Sequence, residues 1–161
     1  MNHPLKIAVA GLGTVGVGTF QMLGAHAALL ERRCGRPIQV SAVSARHRDR
    51  DRGISLDGIE WYDDPAAMAA GADAEVVVEL IGGSDGVAKE VCETAIANGR
   101  HVVTANKALL AHHGTALARA AEKAGVTLAY EAAVAGGIPI VKALREGLAA
   151  NRVERVYGIL H

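Results

Sequence analysis

The sequence predicts an α/β fold of the doubly wound kind: a parallel sheet of six strands in the order 3-2-1-4-5-6, with helices on both faces. Three observations predict it. Short β-branched runs alternate with Ala-rich helical patterns along all 161 residues. A glycine cluster, GLGTVG at 11–16, directly follows the first apolar run. Runs such as VVVELIG are almost continuously apolar, as strands covered on both faces need to be.

The elements follow in order. Strand one is KIAVAG, Lys6 to Gly11, and the helix after it runs from about Val15 to Arg33. Strand two, Ile38 to Ala45, starts just past Pro37. In DDPAAMAAG, Asp63 or Asp64 offers an N-cap, Pro65 suits a first helical turn and Gly71 lies beyond the end. Strand three is Glu75 to Gly82. The helix after it carries Val87, Val91, Ala95 and Ile96 on one face and stops at Asn98-Gly99. Strand four is His101 to Asn106, followed by a helix from roughly Leu109 to Ala124 that Gly125 ends. Strand five is Val126 to Ala132. A helix from Pro139 to about Ala149 follows, and RVERVYGIL supplies a sixth strand. No linker, repeat or low-complexity segment divides the chain, so residues 1–161 read as one domain.

Composition limits the partners. The formal net charge is zero, with 17 basic and 17 acidic residues, so there is no general attraction to nucleic acid or anionic membrane. Aromatic residues are only 3% of the chain, too few for a base-stacking surface. MNHPLKIAVAG breaks into glycines without an Ala-x-Ala-like cleavage site and reads as a strand, not a secretory signal. No uncharged apolar run approaches the roughly 18 residues of a membrane span. Cys34 and Cys92 form no ligand cluster or disulfide framework, and a reducing cytoplasm is the expected compartment. His112 and His113 point in different directions from a helix and lack a third ligand.

The chemistry is concentrated where strands end. Gly11, Gly13 and Gly16 have the G-x-G-x-x-G spacing between a strand and a helix. Gly11 allows the tight turn, Gly13 lets backbone approach a pyrophosphate, and Gly16 permits close packing. The helix N-terminus favours the anion, so the motif predicts dinucleotide binding. The same fingerprint expects an acidic residue at the end of strand two to take the ribose hydroxyls. Here the strand ends in Ser44-Ala45-Arg46. A guanidinium there suits a 2′-phosphate through paired charge-assisted bonds, which predicts NADP(H) over NAD(H), with Arg46 as ligand and Ser44 or Arg48 assisting. The competing reading is a self-neutralising solvated loop with Asp49 and Asp51, and it is preferred for Arg50 and Arg52.

ELIGGSDG ends strand three at the sheet edge where such folds bind ligands, offering Ile81, Gly82 and Ser84 to a ribose or nicotinamide. Ser84 or Asp85 could equally cap the next helix. TANK ends strand four at Asn106, a candidate cofactor contact, and puts Lys107 just beyond it at that edge. In YEAAVAGGIPI, Glu131 and a glycine-rich turn through Val134, Gly136 and Gly137 could bring a carboxylate and carbonyl oxygens around a hard cation, or form a plain turn.

Taken together, AVAGLGTVG, VVVELIGG, VVTANKALLA and YEAAVAGGIPI resemble the N-terminal half of homoserine dehydrogenases, over essentially the whole chain. The resemblance implies an oxidoreductase interconverting L-homoserine and L-aspartate 4-semialdehyde with NAD(P), on the route from aspartate to threonine, methionine and isoleucine. It implies that Thr14 and Val15 lie in the nucleotide loop, that Arg46 binds the NADP phosphate and that Ser84 meets the nicotinamide ribose. It makes Lys107 a catalytic candidate beside nicotinamide and substrate. It also implies a monovalent cation, normally sodium, held by Glu131 and the main-chain oxygens of Val134, Gly136 and Ile138.

One departure stands out. The family continues through an N-G-T-[ST]-N segment into a substrate and dimerisation domain with acidic residues for homoserine and a second lysine. Here His161 stands where that asparagine would begin. The expectation is a fragment that binds cofactor with little turnover, from an enzyme that is a homodimer when intact. A stand-alone NAD(P)H-sensing module, or a dehydrogenase of a related semialdehyde or amino acid, remains open.

Overall fold

Six parallel strands form one sheet in a computed structural model that describes residues 3–158. They are β1 (Leu5–Ala10), β2 (Ile38–Ser44), β3 (Glu60–Tyr62), β4 (Val76–Glu79), β5 (His101–Thr104) and β6 (Leu128–Ala129), in the spatial order β3-β2-β1-β4-β5-β6. The helices are α1 (Thr14–Ala25), α2 (Ala27–Cys34), α3 (Pro65–Gly71), α4 (Val87–Ala97), α5 (Lys107–Ala124) and the short α6 (Ile140–Lys142). The predicted order holds. The chain reverses its direction of travel across the sheet between β1 and β4, which opens a crevice at their carboxyl ends.

Alternation along the strands sorts the core into two layers. Ala8, Ala10, Ala42, Val77 and Val102 meet Met68 of α3, Val91, Cys92 and Ile96 of α4, and Leu109 and Leu117 of α5. On the other face Ile7, Val9, Val43 and Val78 meet Leu12 and, from α1, Phe20 and Leu23. Complete burial of side chains such as Leu109 and Leu117 contributes roughly 1.5–3 kcal/mol each. Cys92 is wholly buried, and that burial pushes its thiol up to about 12.

Local signals in the sequence account for many boundaries. The Asp64 side chain accepts from the Ala66 N–H at 2.8 Å and caps α3, with Pro65 at its start. Gly99 and Gly125 follow α4 and α5 with φ of 70° and 69°. Asn106 caps α5, its side chain accepting from the Leu109 N–H at 3.0 Å, so that helix begins at Lys107 and not Leu109.

Five elements differ from expectation. The first helix is two, because the backbone bends at His26 (φ −113°, ψ 16°), which ends α1 and begins α2; Gly24, a weak helix former, precedes the bend. The strand at Glu60–Tyr62 was not foreseen; it is a strand because it pairs with Ala42–Ser44. Consequently the predicted third, fourth and fifth strands are β4, β5 and β6. The fifth is cut to two residues: the Val126 N–H closes the end of α5 on Ala121, and Glu131–Ala133 winds into a tight 3-10 turn. The predicted sixth strand falls on 152–160, of which 152–158 are irregular and 159–160 lie outside the described residues. Val153, Val156 and Tyr157 are 46%, 69% and 83% exposed, so the alternation there meets no partner backbone among the described residues. The last predicted helix is α6 followed by a wider-wound turn over Ala143–Gly147.

Candidate functional site

The four central strands end in line. Ala10 is the cross-strand partner of both Ser44 and Glu79, and Glu79 is the partner of Thr104. Every candidate loop up to Lys107 therefore leaves the sheet from one row.

The glycine turn has the geometry its spacing predicts. Gly11 sits at φ 105°, its N–H donating to the Ser44 carbonyl at 2.8 Å, and a Cβ there would fall 2.7 Å from the Leu80 carbonyl group. A Cβ on Gly16 would lie 2.1 Å from the Gly11 oxygen, whereas one on Gly13 would meet nothing within 4 Å. Close packing thus requires Gly11 and Gly16, while the space over Gly13 is open. No side chain caps α1, and its first bond runs from the Val17 N–H to the Gly13 carbonyl at 2.9 Å. The N–H groups of Thr14, Val15 and Gly16 come before that bond, at the positive end of the helix, as an anion site requires. Val15 is 58% exposed.

A cleft of about 530 Å³ opens beside this turn, lined by Gly11, Gly13, Ser44, Arg46, Ile81 and Val87 among others. Val87 faces it and is 47% exposed, not part of the core face predicted for α4. Ser44 is buried beneath the floor and Arg46 is exposed at the rim. Arg50 and Arg52 also line the cleft, and Arg52 is no freely solvated side chain: it donates to the carbonyls of Arg46, His47 and Arg50.

Beyond β4 the anchor is Glu79, to which the sequence pattern assigns no role. Glu79 is 0% exposed, and its Oε1 accepts from the N–H groups of Ile81 at 2.7 Å and Gly82 at 3.1 Å. Its Oε2 accepts from the Thr104 hydroxyl at 2.5 Å, and Thr104 Oγ1 accepts from the Asn106 N–H at 3.0 Å. Asn106, expected to face cofactor, is 7% exposed; while its Oδ1 caps α5, its Nδ2 donates to the Gly83 carbonyl at 2.7 Å. This chain of bonds ties the loop after β4 to the start of α5, where Lys107 is exposed. A lone carboxylate inside the run VVVELIG was the available signal, because buried charged groups require partners.

Ser84 donates to Asp85 at 2.7 Å, and Asp85 pairs with His113 Nε2 of α5 at 2.7 Å. The Ser84 hydroxyl and then the His113 ring hold the Asp85 carboxyl below the usual carboxylate range.

Glu131 lies in a turn, not at a strand end. Its two oxygens each accept a backbone N–H at 3.0 Å, from Val141 and Lys142, so the carboxylate brackets the loop and caps α6. Inside that bracket Ala135 and Gly137 have φ of 49° and 83°, which turns successive peptides to different sides. The Ile138 carbonyl accepts from the Ile140 N–H at 2.8 Å. Among the described residues no group of three or more His, Cys, Asp or Glu is placed to hold a metal.

Comparison with known proteins agrees with these features. A family model described as homoserine dehydrogenase, NAD binding domain, matches residues 11–131. A homoserine dehydrogenase of Neisseria gonorrhoeae is 48% identical over 158 residues, and one of Pseudomonas aeruginosa 47% over 160; each match covers 98% of this chain and 36% of the relative. The chain thus spans little more than a third of the length of these curated relatives. The crystal structure of a homoserine dehydrogenase from Thiobacillus denitrificans superposes with a TM-score of 0.82 at 45% identity, covering 93% of this chain and 34% of that one. A hyperthermophilic archaeal homoserine dehydrogenase in complex with NADPH shares the fold, with a TM-score of 0.74 at 22% identity, over 92% of this chain and 50% of that one.

Proposed function

The chain belongs to the homoserine dehydrogenase family, and from that membership we propose that it is the nucleotide-binding part of an enzyme interconverting L-homoserine and L-aspartate 4-semialdehyde with NADP(H) preferred over NAD(H). The place of such an enzyme is the route from aspartate to threonine, methionine and isoleucine, in the cytoplasm. Its partners are these small molecules and a second copy of the intact protein. Nucleic acid is not among them, given the net charge of zero. Among the described residues no helix is long and apolar enough to cross a membrane.

The observation that carries the cofactor preference is the end of β2. Ser44-Ala45-Arg46 presents a guanidinium to the cleft beside the uncapped N-terminus of α1, and the carboxylate lining that cleft, Asp63, comes from after β3 and accepts from Trp61 Nε1. The N–H groups around Gly13, Thr14 and Val15 would take the pyrophosphate, with Gly11 and Gly16 shaping the turn. Arg46 would take the 2′-phosphate with Ser44 beneath it, and Ile81, Gly82 and Ser84 would take the nicotinamide ribose. When bound, the nicotinamide exchanges a hydride with the carbon bearing the substrate oxygen. Lys107, beside Asn106, would stabilise that oxygen or relay its proton. We assign residues 1–161 to one dinucleotide-binding domain, with substrate orientation supplied by the rest of the intact protein. Orientation contributes several kcal/mol to such a step, so this segment is expected to bind cofactor with little turnover.

The test is a fluorescence titration of the chain with NADPH and NADH, repeated with Arg46→Ala. A bond to a charged group contributes about 1.5–3 kcal/mol, so the substitution should weaken NADPH roughly 10- to 100-fold and leave NADH nearly unchanged. Equal affinities that do not depend on Arg46 would remove the NADP preference.

A sodium ion at Glu131 and the main-chain oxygens of Val134, Gly136 and Ile138 is the second element of the proposal. Its support is the loop that the Glu131 carboxylate brackets. Titrating the chain into sodium chloride should broaden the ²³Na resonance, and Glu131→Ala should remove that broadening. A linewidth insensitive to the chain would delete the cation.

A further inference from the structure

Arg46, Arg48 and Arg50 are exposed, whereas Arg52 is half-buried and turned back into its own loop. Its Nη1 donates to the Arg50 carbonyl at 2.8 Å, and its Nη2 donates to the carbonyls of Arg46 at 2.6 Å and His47 at 2.9 Å. The guanidinium carbon lies 5.6 Å from the centre of the Trp61 ring, which Arg48 also approaches at 5.9 Å. Arg52 Nε is buried without a hydrogen-bond partner among the described residues. Trp61 is itself fixed, facing Val43 across the β2–β3 pair and donating from Nε1 to Asp63 at 2.8 Å.

The loop needs such a template. Four arginines against Asp49 and Asp51 leave 46–52 with an excess of positive charge, and His47 holds φ at 57°, a region that residues with a Cβ seldom adopt. Three carbonyls converge on one side chain, and a planar fork with five N–H donors can serve all of them at once. A lysine ammonium has its donors at a single point on a flexible stem. The shortest of the three bonds goes to the peptide of Arg46, so it sets the direction in which that side chain leaves the end of β2.

Resting on the reading of this cleft as an NADP site, we propose that Arg52 is the positioning residue behind its preference for a 2′-phosphate. Arg52 holds the Arg46 peptide, and Arg46 holds the phosphate. An arginine contacting the phosphate itself would be partly replaced by lysine, whose charge remains. One that acts by gathering three carbonyls would not be.

The test titrates NADPH and NADH into the chain and into Arg52→Lys and Arg46→Ala, with melting temperature and emission of the single tryptophan, Trp61, read on each. Arg52→Lys should lower the ratio of NADPH to NADH affinity about tenfold or more, leave NADH within about twofold, and red-shift Trp61 emission before any ligand is added. If Arg46→Ala loses the ratio and Arg52→Lys keeps it, the positioning role is overturned and the NADP reading stands. If neither substitution moves the ratio, the NADP reading falls and the positioning role with it. Should Arg52→Lys not fold, nitrogen NMR of the arginine side chains in the unaltered chain decides. Adding NADPH should shift the Arg46 guanidinium and leave that of Arg52 bonded to its carbonyls. A phosphate-dependent shift of Arg52 with Arg46 unmoved would overturn the proposal.

Discussion

Gly16→Ala should lower the melting temperature of the chain by about 10 °C and abolish nucleotide binding. The new methyl carbon would sit 2.1 Å from the Gly11 carbonyl oxygen and 3.0 Å from its carbon. Both atoms belong to backbone, so no flexible side chain can yield. Either α1 is pushed off the turn or Gly11, already at φ 105°, must move. Overpacking of this kind costs about 3 kcal/mol or more, and each kcal/mol corresponds to about 2–4 °C in a domain of this size. Gly13→Ala is the internal contrast, because its methyl group would enter open space. That variant should melt within about 2 °C of the parent, yet lose affinity for NADPH, since the methyl group occupies the volume through which a pyrophosphate approaches. Circular dichroism melting with a parallel NADPH titration separates the two. Equal melting temperatures for both variants would refute the packing role of Gly16.

Glu79→Ala is the second substitution with a large expected effect. It withdraws the acceptor from the N–H groups of Ile81 and Gly82 and from the wholly buried Thr104 hydroxyl. Ile81 and Gly82 are exposed residues that water can approach, whereas Thr104 is wholly buried. With the cavity it leaves, the change should cost on the order of 3 kcal/mol. The first residues of the loop after β4 should loosen, leaving the Gly83–Asn106 and Asp85–His113 bonds to tie the loop to α5. Glu79→Gln should be milder, at about 1–2 kcal/mol. Its amide oxygen can still accept from the loop, but its amide nitrogen would face a hydroxyl whose proton then has no acceptor. Chemical denaturation gives the stabilities. Comparing NADPH with 2′-phospho-ADP, which lacks the nicotinamide and its ribose, isolates the loop's effect: only NADPH binding should weaken in Glu79→Gln. A variant as stable as the parent, with both affinities intact, would show that the buried bonds do not fix the loop.

What the sequence revealed and what it hid have separate physical causes. The three glycines were legible because each answers to a local requirement of turn geometry or close approach, and so was the Asp64 cap. The strand order was legible because alternating strands and helices leave few topologies open. The edge strand Glu60–Tyr62 was hidden because three residues carry no period, and only pairing with β2 makes them a strand. The reverse error came from 152–160, where an alternating pattern lacks a neighbour over the described part. The roles of Arg52 and Glu79 were hidden for a related reason. Residues 48–52 read as a solvated charge run until the three carbonyls around one guanidinium are seen together. Glu79 looked like part of an apolar strand until Thr104, 25 residues further on, supplies its partner.

The alignment of Ala10, Ser44, Glu79 and Thr104 across neighbouring strands constrains how this chain can diverge. One residue gained or lost inside β4 would slide its exit by about 3.3 Å and exchange the two faces of everything beyond it. Glu79 would then leave Thr104, and the loops on either side would no longer start level. Residues added between Arg52 and Glu60 shift nothing in that row, because the segment returns to the sheet only through its edge. Length polymorphism in descendants of this sequence is therefore expected to collect on that rim, while the four central strands keep their residue counts even as their side chains drift.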